Sequence, residues 1–263
     1  MDKELVIIVP SEGAAYSVLT ALEALDDDGS IELYGATVVV RTPDGRIDIK
    51  DARGNRGPWG TAIGTSLGAL VGLLGGPVGV AVGAALGAGV GVATDLAYTG
   101  FPGDFVHDVS KTLANGSYAV LASVWEDWMI PVDFAVAPYG ATVLRQSTDD
   151  VSAAQLKAED QALRNEWASF EAAVASAKGD AKAELEAHRS KLRAKQQASR
   201  VKMKARVTAM QNSWNAKISS IQDKAKRATA DARTRHQHHH DKLAKFAAEQ
   251  KASFDELFTK THE

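Results

Sequence analysis

Residues 59–94 read "WGTAIGTSLGALVGLLGGPVGVAVGAALGAGVGVAT". Within this stretch Gly60, Gly64, Gly68 and Gly72 recur every fourth residue, Gly75-Gly76-Pro77 interrupts, and Gly79, Gly83, Gly87 and Gly91 resume the period. Arg56 precedes it and Asp95 follows, with no charged residue between them. The punctuation predicts a helical hairpin with arms Trp59–Leu74 and Val78–Thr94, turning at Gly75, Gly76 and Pro77. Each mid-helix glycine costs about 1 kcal/mol relative to alanine, so a tertiary gain must offset eight of them. Glycines at i, i+4, i+8 and i+12 leave one bare stripe per arm, and a bare stripe lets two helix backbones approach closely. The opposite faces carry Ile63, Leu67, Leu70, Val71 and Leu74, then Val80, Val82, Leu86, Val90 and Val92. A helix that is apolar all round belongs in lipid or inside protein.

Arms of 16–17 residues fall short of the ~20 of a full span, while Trp59, Tyr98 and Phe101 suit an interfacial belt. The expectation is therefore a hairpin inserted in a bilayer, with burial inside a water-soluble homopolymer (shell, ring or filament) as the alternative. A hairpin-lined pore ranks lower, because its polar lining would be limited to Thr61, Thr65, Ser66 and Thr94. A phosphate-binding loop is excluded by the lack of a Lys-Ser/Thr pair after the glycines.

The flanks read as one α+β domain split in two. "ELVIIVP" is a β-branched run ended by Pro10, "YSVLTALEAL" repeats apolar residues at helical spacing, and "IELYGATVVV" and "RIDIKD" bracket the turn residues "TPDG". After the glycine segment come a helix "GDFVHDVSKTLANG", a buried strand "SYAVLASV", a short helix "PVDFAVAPYG" and a closing strand "TVLRQS". The order β-α-β-β, insertion, α-β-α-β predicts a ferredoxin-like sandwich, sheet on one side and helices on the other. The halves, 1–57 and 101–148, have too few strands to stand alone, so they should pair across the hairpin at 58–100.

The segments "ALEALDDDGSIELYGATVVVRTPDGRIDI", "LLGGP", "GDFVHDVSKTLANGSYAVLASV" and "APYGATVLRQS" resemble the bacterial family of predicted membrane proteins known as domain of unknown function twelve-sixty-nine, over roughly residues 4–148. The resemblance implies a membrane-associated glycine-zipper protein with no catalytic residues to carry over. Pro131 in "WMIPVDF" departs from the regular helix expected there.

Residues 1–150 hold 8 Lys/Arg against 19 Asp/Glu, and residues 151–263 hold 22 against 14. A head of net −11 and a tail of net +8 suggest different partners, or partners for each other. There is no cysteine, so disulfides and thiolate chemistry are excluded. The opening "MDKELVIIVP" is unlike a secretory signal, which places the protein at the cytoplasmic face of the membrane, or in the cytoplasm on the alternative reading. Residues 149–263 have the composition of long helix, forming a helical or coiled-coil arm. A stripe runs through Leu156, Leu163, Trp167, Phe170 and Val174, and resumes as Val207, Met210, Trp214, Ile218 and Ile221. Gly179 marks a bend or restart. An unbroken arm would reach on the order of 165 Å at 1.5 Å per residue, so it should fold back or bundle with neighbouring copies.

Two features of the arm carry candidate chemistry. Arg189, Lys191, Arg193, Lys195, Arg200, Lys202, Lys204 and Arg206 form a basic run with no acid between Glu186 and Asp223. It suits a solvated face, the acidic domain of a neighbour, or anionic lipid headgroups. The bases spread around the helix with little aromatic interleaving, which argues against nucleic-acid recognition. In "RHQHHHDK", His236 and His240 stand at i and i+4, a spacing that can hold one metal ion. Ser11 and Glu12 read as helix caps, and His107, Glu126 and Asp127 as structural. With no triad, paired carboxylates, cofactor motif or evident small-molecule substrate, the reading is a non-enzymatic, homo-oligomeric, membrane-associated scaffold.

Overall fold

The computed structural model describes residues 2–54, 67–68, 70–72, 74, 101–147, 149–178 and 180–259. Five strands, β1 (Asp2–Val9), β2 (Glu32–Arg41), β3 (Ile47–Gly54), β4 (Tyr118–Trp125) and β5 (Thr142–Ser147), form one antiparallel sheet in the order β3-β2-β4-β1-β5. The helices are α1 (Glu12–Asp27), α2 (Gly103–Thr112), α3 (Ile130–Val136), α4 (Asp149–Ser176), α5 (Asp180–Arg227) and α6 (Ala230–Thr259). A 3-10 turn, Ala137–Tyr139, follows α3.

Local chemistry accounts for these boundaries. Ser11 caps α1, its side chain accepting from the Ala14 N–H at 3.2 Å. Pro131 stands in the first turn of α3, where its missing N–H costs nothing, so the proline opens that helix instead of displacing it. β2 and β4 flank each other although the glycine segment separates them in sequence. Strands that precede and follow that segment in sequence therefore belong to one sheet.

The strands are apolar in both phases because both faces are covered. On one face Leu5, Ile7, Val9, Val38, Val120, Ala122 and Val124 pack against Val18, Leu19 and Leu22 of α1 and Val132 and Val136 of α3. On the other, Val6, Ile8, Val39, Ala119 and Leu121 pack against Phe105 and Val109 of α2 and against Leu67, Leu70, Val71 and Leu74. The expectation of helices on one side only is corrected here. So is the placement of Leu67, Leu70, Val71 and Leu74 on a lipid-facing surface, for they are helical and buried with this second core. Gly68 and Gly72 beside them are helical and buried too. Gly60, Gly64, Gly79, Gly83, Gly87, Gly91, the turn Gly75-Gly76-Pro77, and the outward residues Ile63, Val80, Val82, Leu86, Val90 and Val92 lie outside the described residues. No helix among the described residues is long and apolar enough to cross a membrane.

The chain divides into two compact units. One takes Met1–Val151 with Asn212–Ala247, and the other Ser152–Gln211 with Ala248–Glu263. The region read as a single arm is thus shared between them. α4 ends at Ser176 and α5 begins at Asp180, the restart foreseen around Gly179. The second break, between Arg227 and Ala230, has neither glycine nor proline to announce it.

Candidate functional site

Alternation along β1 puts Asp2 and Glu4 in phase with Val6 and Ile8, so the second face of the sheet is apolar at one end and acidic at the other. Register adds Glu32, which stands opposite Trp125 as Asp2 does from the other flank. Asp2, Glu4 and Glu32 are each at most 2% exposed. Buried carboxylates demand counter-charges, and in the same compact unit residues 212–247, the end of α5 and start of α6, supply them to Asp2 and Glu32.

Lys217 Nζ donates to Asp2 Oδ2 at 2.5 Å, both side chains being nearly inaccessible, and sits 4.9 Å from the Tyr34 ring centroid. Lys224 donates to Asp26 and to the Leu33 carbonyl at 2.9 Å, with Glu32 Oε2 at 3.4 Å. Nδ1 of His236 lies 2.6 Å, and Nδ1 of His239 3.1 Å, from Glu32 Oε1. At the end of β4, Asp127 accepts from Lys242 at 2.7 Å, with His238 Nε2 at 3.4 Å and His239 Nε2 at 3.9 Å. Arg235 donates to the Asp28 carbonyl at 2.6 Å. A second node stands at Glu126, which takes Lys3 at 3.0 Å and Arg145 at 2.8 Å.

The carboxyls respond in opposite directions. Burial alone would push Glu32 up, but hydrogen bonds from His236 and His239 and the charge of Lys224 outweigh it and hold Glu32 below its ordinary value. Asp127 is likewise lowered, its burial outweighed by Lys242. Asp26 is raised, because its burial exceeds what Lys224 returns. Carboxylates, imidazoles and ammonium groups engaged with one another suit an electrostatic lock that holds a helical tip on a sheet.

The sequence candidates distribute as follows. His236 and His240 have different partners: His236, like His239, faces Glu32, whereas His240 pairs with Gln222 at 2.9 Å and Asp241 at 3.0 Å. Among the described residues no group of three or more His, Cys, Asp or Glu is arranged to hold a metal ion. An open groove between α5 and α6 is lined by Gln222, Lys226, Arg233, Gln237 and His240. Much of the basic run is engaged within its own unit. Arg189 pairs with Glu171, Lys195 with Glu166 and Arg206 with Glu159, while Arg193 lies 5.8 Å from the Trp167 ring and Lys204 5.6 Å from Phe258. Lys191, Arg200 and Lys202 complete the run on the same helix. Glu126 and Asp127, read as structural, serve as ion-pair partners, whereas the buried acids Asp2, Glu4 and Glu32 go unmarked in that reading. Their signal was an acid in phase with buried apolar positions at a strand end.

The architecture defines a mixed α+β class: a five-stranded antiparallel sheet with a long C-terminal helical region. Residues 60–160 match the family model described as Protein of unknown function (DUF1269), the family resembled by the sequence, with 1–59 and 161–263 outside the match. No curated protein and no solved structure matches the chain.

Proposed function

We propose that this protein is a non-enzymatic, self-associating scaffold that carries its glycine segment as a hairpin for insertion into the cytoplasmic membrane from the cytoplasmic face. The observation behind this reading is that β3 and β4, on either side of the uncharged segment, are both hydrogen-bonded to β2. The segment must leave and re-enter one head, and a bilayer would receive it as a hairpin. With β3 set aside as an added edge, the strand order supports reading the head as a variant of the ferredoxin-like sandwich, and the spacing of Gly68 and Gly72 suits a glycine zipper. Anionic lipid headgroups are the contact this reading gives the basic helix. A second reading, a water-soluble homopolymer with the hairpins in a protein interior, draws on the burial of Leu67, Leu70, Val71 and Leu74 against the sheet. Lysis without detergent followed by high-speed centrifugation separates the two. Recovery in the pellet, released by detergent but not by salt, is expected, and a defined oligomer in the supernatant overturns the membrane reading.

A further inference from the structure

We propose that the outer edge of β5, the last strand of the sheet among the described residues, and the outward face of α3 together form the surface on which a second copy of this chain docks about a two-fold axis. The proposal rests on the self-association in the reading above and assigns its surface to the head. The sheet ends in two edges of different character. β3, at one edge, carries Asp48, Lys50, Asp51 and Arg53 and meets β2 through an irregularity at Val38/Val39, both of them devices that discourage edge-to-edge pairing. β5, at the other, reads "TVLRQS" and keeps an unbroken register with β1 from Thr142 to Ser147. It has no proline, and its one charge, Arg145, is turned back onto Glu126 at 2.8 Å and Asp133 at 2.6 Å. Little on this strand repels an incoming one.

The same arginine ties the edge to an apolar patch, since Arg145 also reaches the Met129 carbonyl at 3.4 Å. Trp128, Met129, Ile130 and Phe134 are 72%, 53%, 73% and 82% exposed. Ile130 and Phe134 stand at i and i+4 on α3, while Val132 and Val136 of the same helix are buried in the core. Leu67, Leu70, Val71 and Leu74 pack on the opposite sheet face, around Val6 and Ile8 and away from the strand ends at Asp2 and Trp125. The patch thus lies on the other sheet face from those residues and beside an edge that a further strand can extend, which favours protein as its occupant. An antiparallel edge strand is its own complement. A two-fold rotation pairs β5 with its copy, extends the sheet to ten strands, and puts both α3 helices on one side of the seam. Exposed Trp, Met, Ile and Phe rimmed by Asp133 and Arg145 have the make-up of a protein interface.

The test uses the full-length, cysteine-free chain. Ile130→Glu/Phe134→Glu changes two exposed residues, so circular dichroism and thermal unfolding of the monomer should stay as in wild type. Light scattering over a dilution series should show self-association weakened about a hundredfold or more, each lost apolar side chain contributing about tenfold. Phe134→Cys should be captured as a dimer by a short bis-maleimide, and Lys50→Cys on β3 should not. Wild-type mass for the double variant at every dilution overturns the proposal, as does cross-linking through Lys50→Cys alone. An environment-sensitive dye on Phe134→Cys that responds to phosphatidylcholine vesicles makes lipid the occupant and overturns it too. The membrane reading is scored separately: a dissociated double variant that still pellets with membranes supports this surface and leaves that reading standing. A wild-type dimer cross-linked through Phe134→Cys in the supernatant supports this surface and sinks that reading alone.

Discussion

Gly29 links the head to the helical tip through two properties that only glycine combines. Its φ is +75°, a left-handed conformation, and a Cβ there would meet the Ala232 carbonyl oxygen and the Arg235 Cβ at 3.0 Å each. Gly29→Ala should cost about 1–2 kcal/mol from conformation alone, plus the displacement of α6. The expected result in urea unfolding is a lowered midpoint with an unchanged slope. Glu32 is the next such position, since one carboxylate receives His236, His239 and Lys224. Its folded-state value lies below the ordinary one, so the stability it contributes is complete above the ordinary value of 4.5 and is lost as pH falls through the depressed value. Asp26 runs the other way: raised by burial, it favours the folded state at low pH and loses that contribution as pH rises through its folded value. Glu32→Gln should cost about 3 kcal/mol at neutral pH and flatten the acid limb of a stability–pH curve. An acid limb as steep as in wild type would mean that other carboxylates set it.

At the scale of elements, the end of α5 and start of α6 behave as a lid whose polar contacts define its seat. Lys217→Met leaves Asp2 buried without its partner and should cost about 3–5 kcal/mol, whereas adding Asp2→Asn should recover most of the loss. A double variant as unstable as the single one would show that packing, not charge, seats the tip. Leu70, fully buried against the sheet, makes a parallel case on the apolar half. Leu70→Ala should lower the unfolding free energy of the detergent-free protein by about 2–5 kcal/mol, and no change would separate the first arm from the head. Elements of the head were legible because their signals are local: β-branched runs, the serine cap, the turn glycines. The covering of both faces could be read from Val38-Val39-Val40, which is apolar in both phases, yet alternation alone does not say what covers the second face. The lid escaped for a different reason. Its seat is made of acids on β1 and β2 and bases some two hundred residues away, and charge totals reveal such a match without its pairing. His236 and His239, at i and i+3, both face Glu32, a pairing set by the sheet and absent from the helix's own sequence.

At the scale of the whole molecule, the sheet constrains topology whatever phase receives the glycine segment. β3 and α2 flank the segment and belong to the same compact unit, with β2 joining β3 to β4. Asp51 on β3 and Asp104 on α2 therefore lie on one side of any membrane. On the proposed membrane reading, the positive-inside bias of the basic helices assigns that side to the cytoplasm. A single crossing is incompatible with this arrangement, because it would separate strands that share hydrogen bonds. The absence of cysteine permits a direct test. Single cysteines at Asp51 and at Asp104 should both resist a membrane-impermeant maleimide in intact cells and both react after lysis. Labelling of one and not the other in intact cells would contradict the shared sheet in the cellular protein. A third cysteine, at Gly76, divides what remains: reaction in intact cells is expected of a hairpin that crosses twice, and protection is expected of a segment that re-enters the bilayer or stays within protein. Combined with sedimentation, protection at Gly76 in a pelleted protein selects the re-entrant hairpin, and protection in a soluble one selects the protein interior that the burial of Leu67 and Leu70 favours.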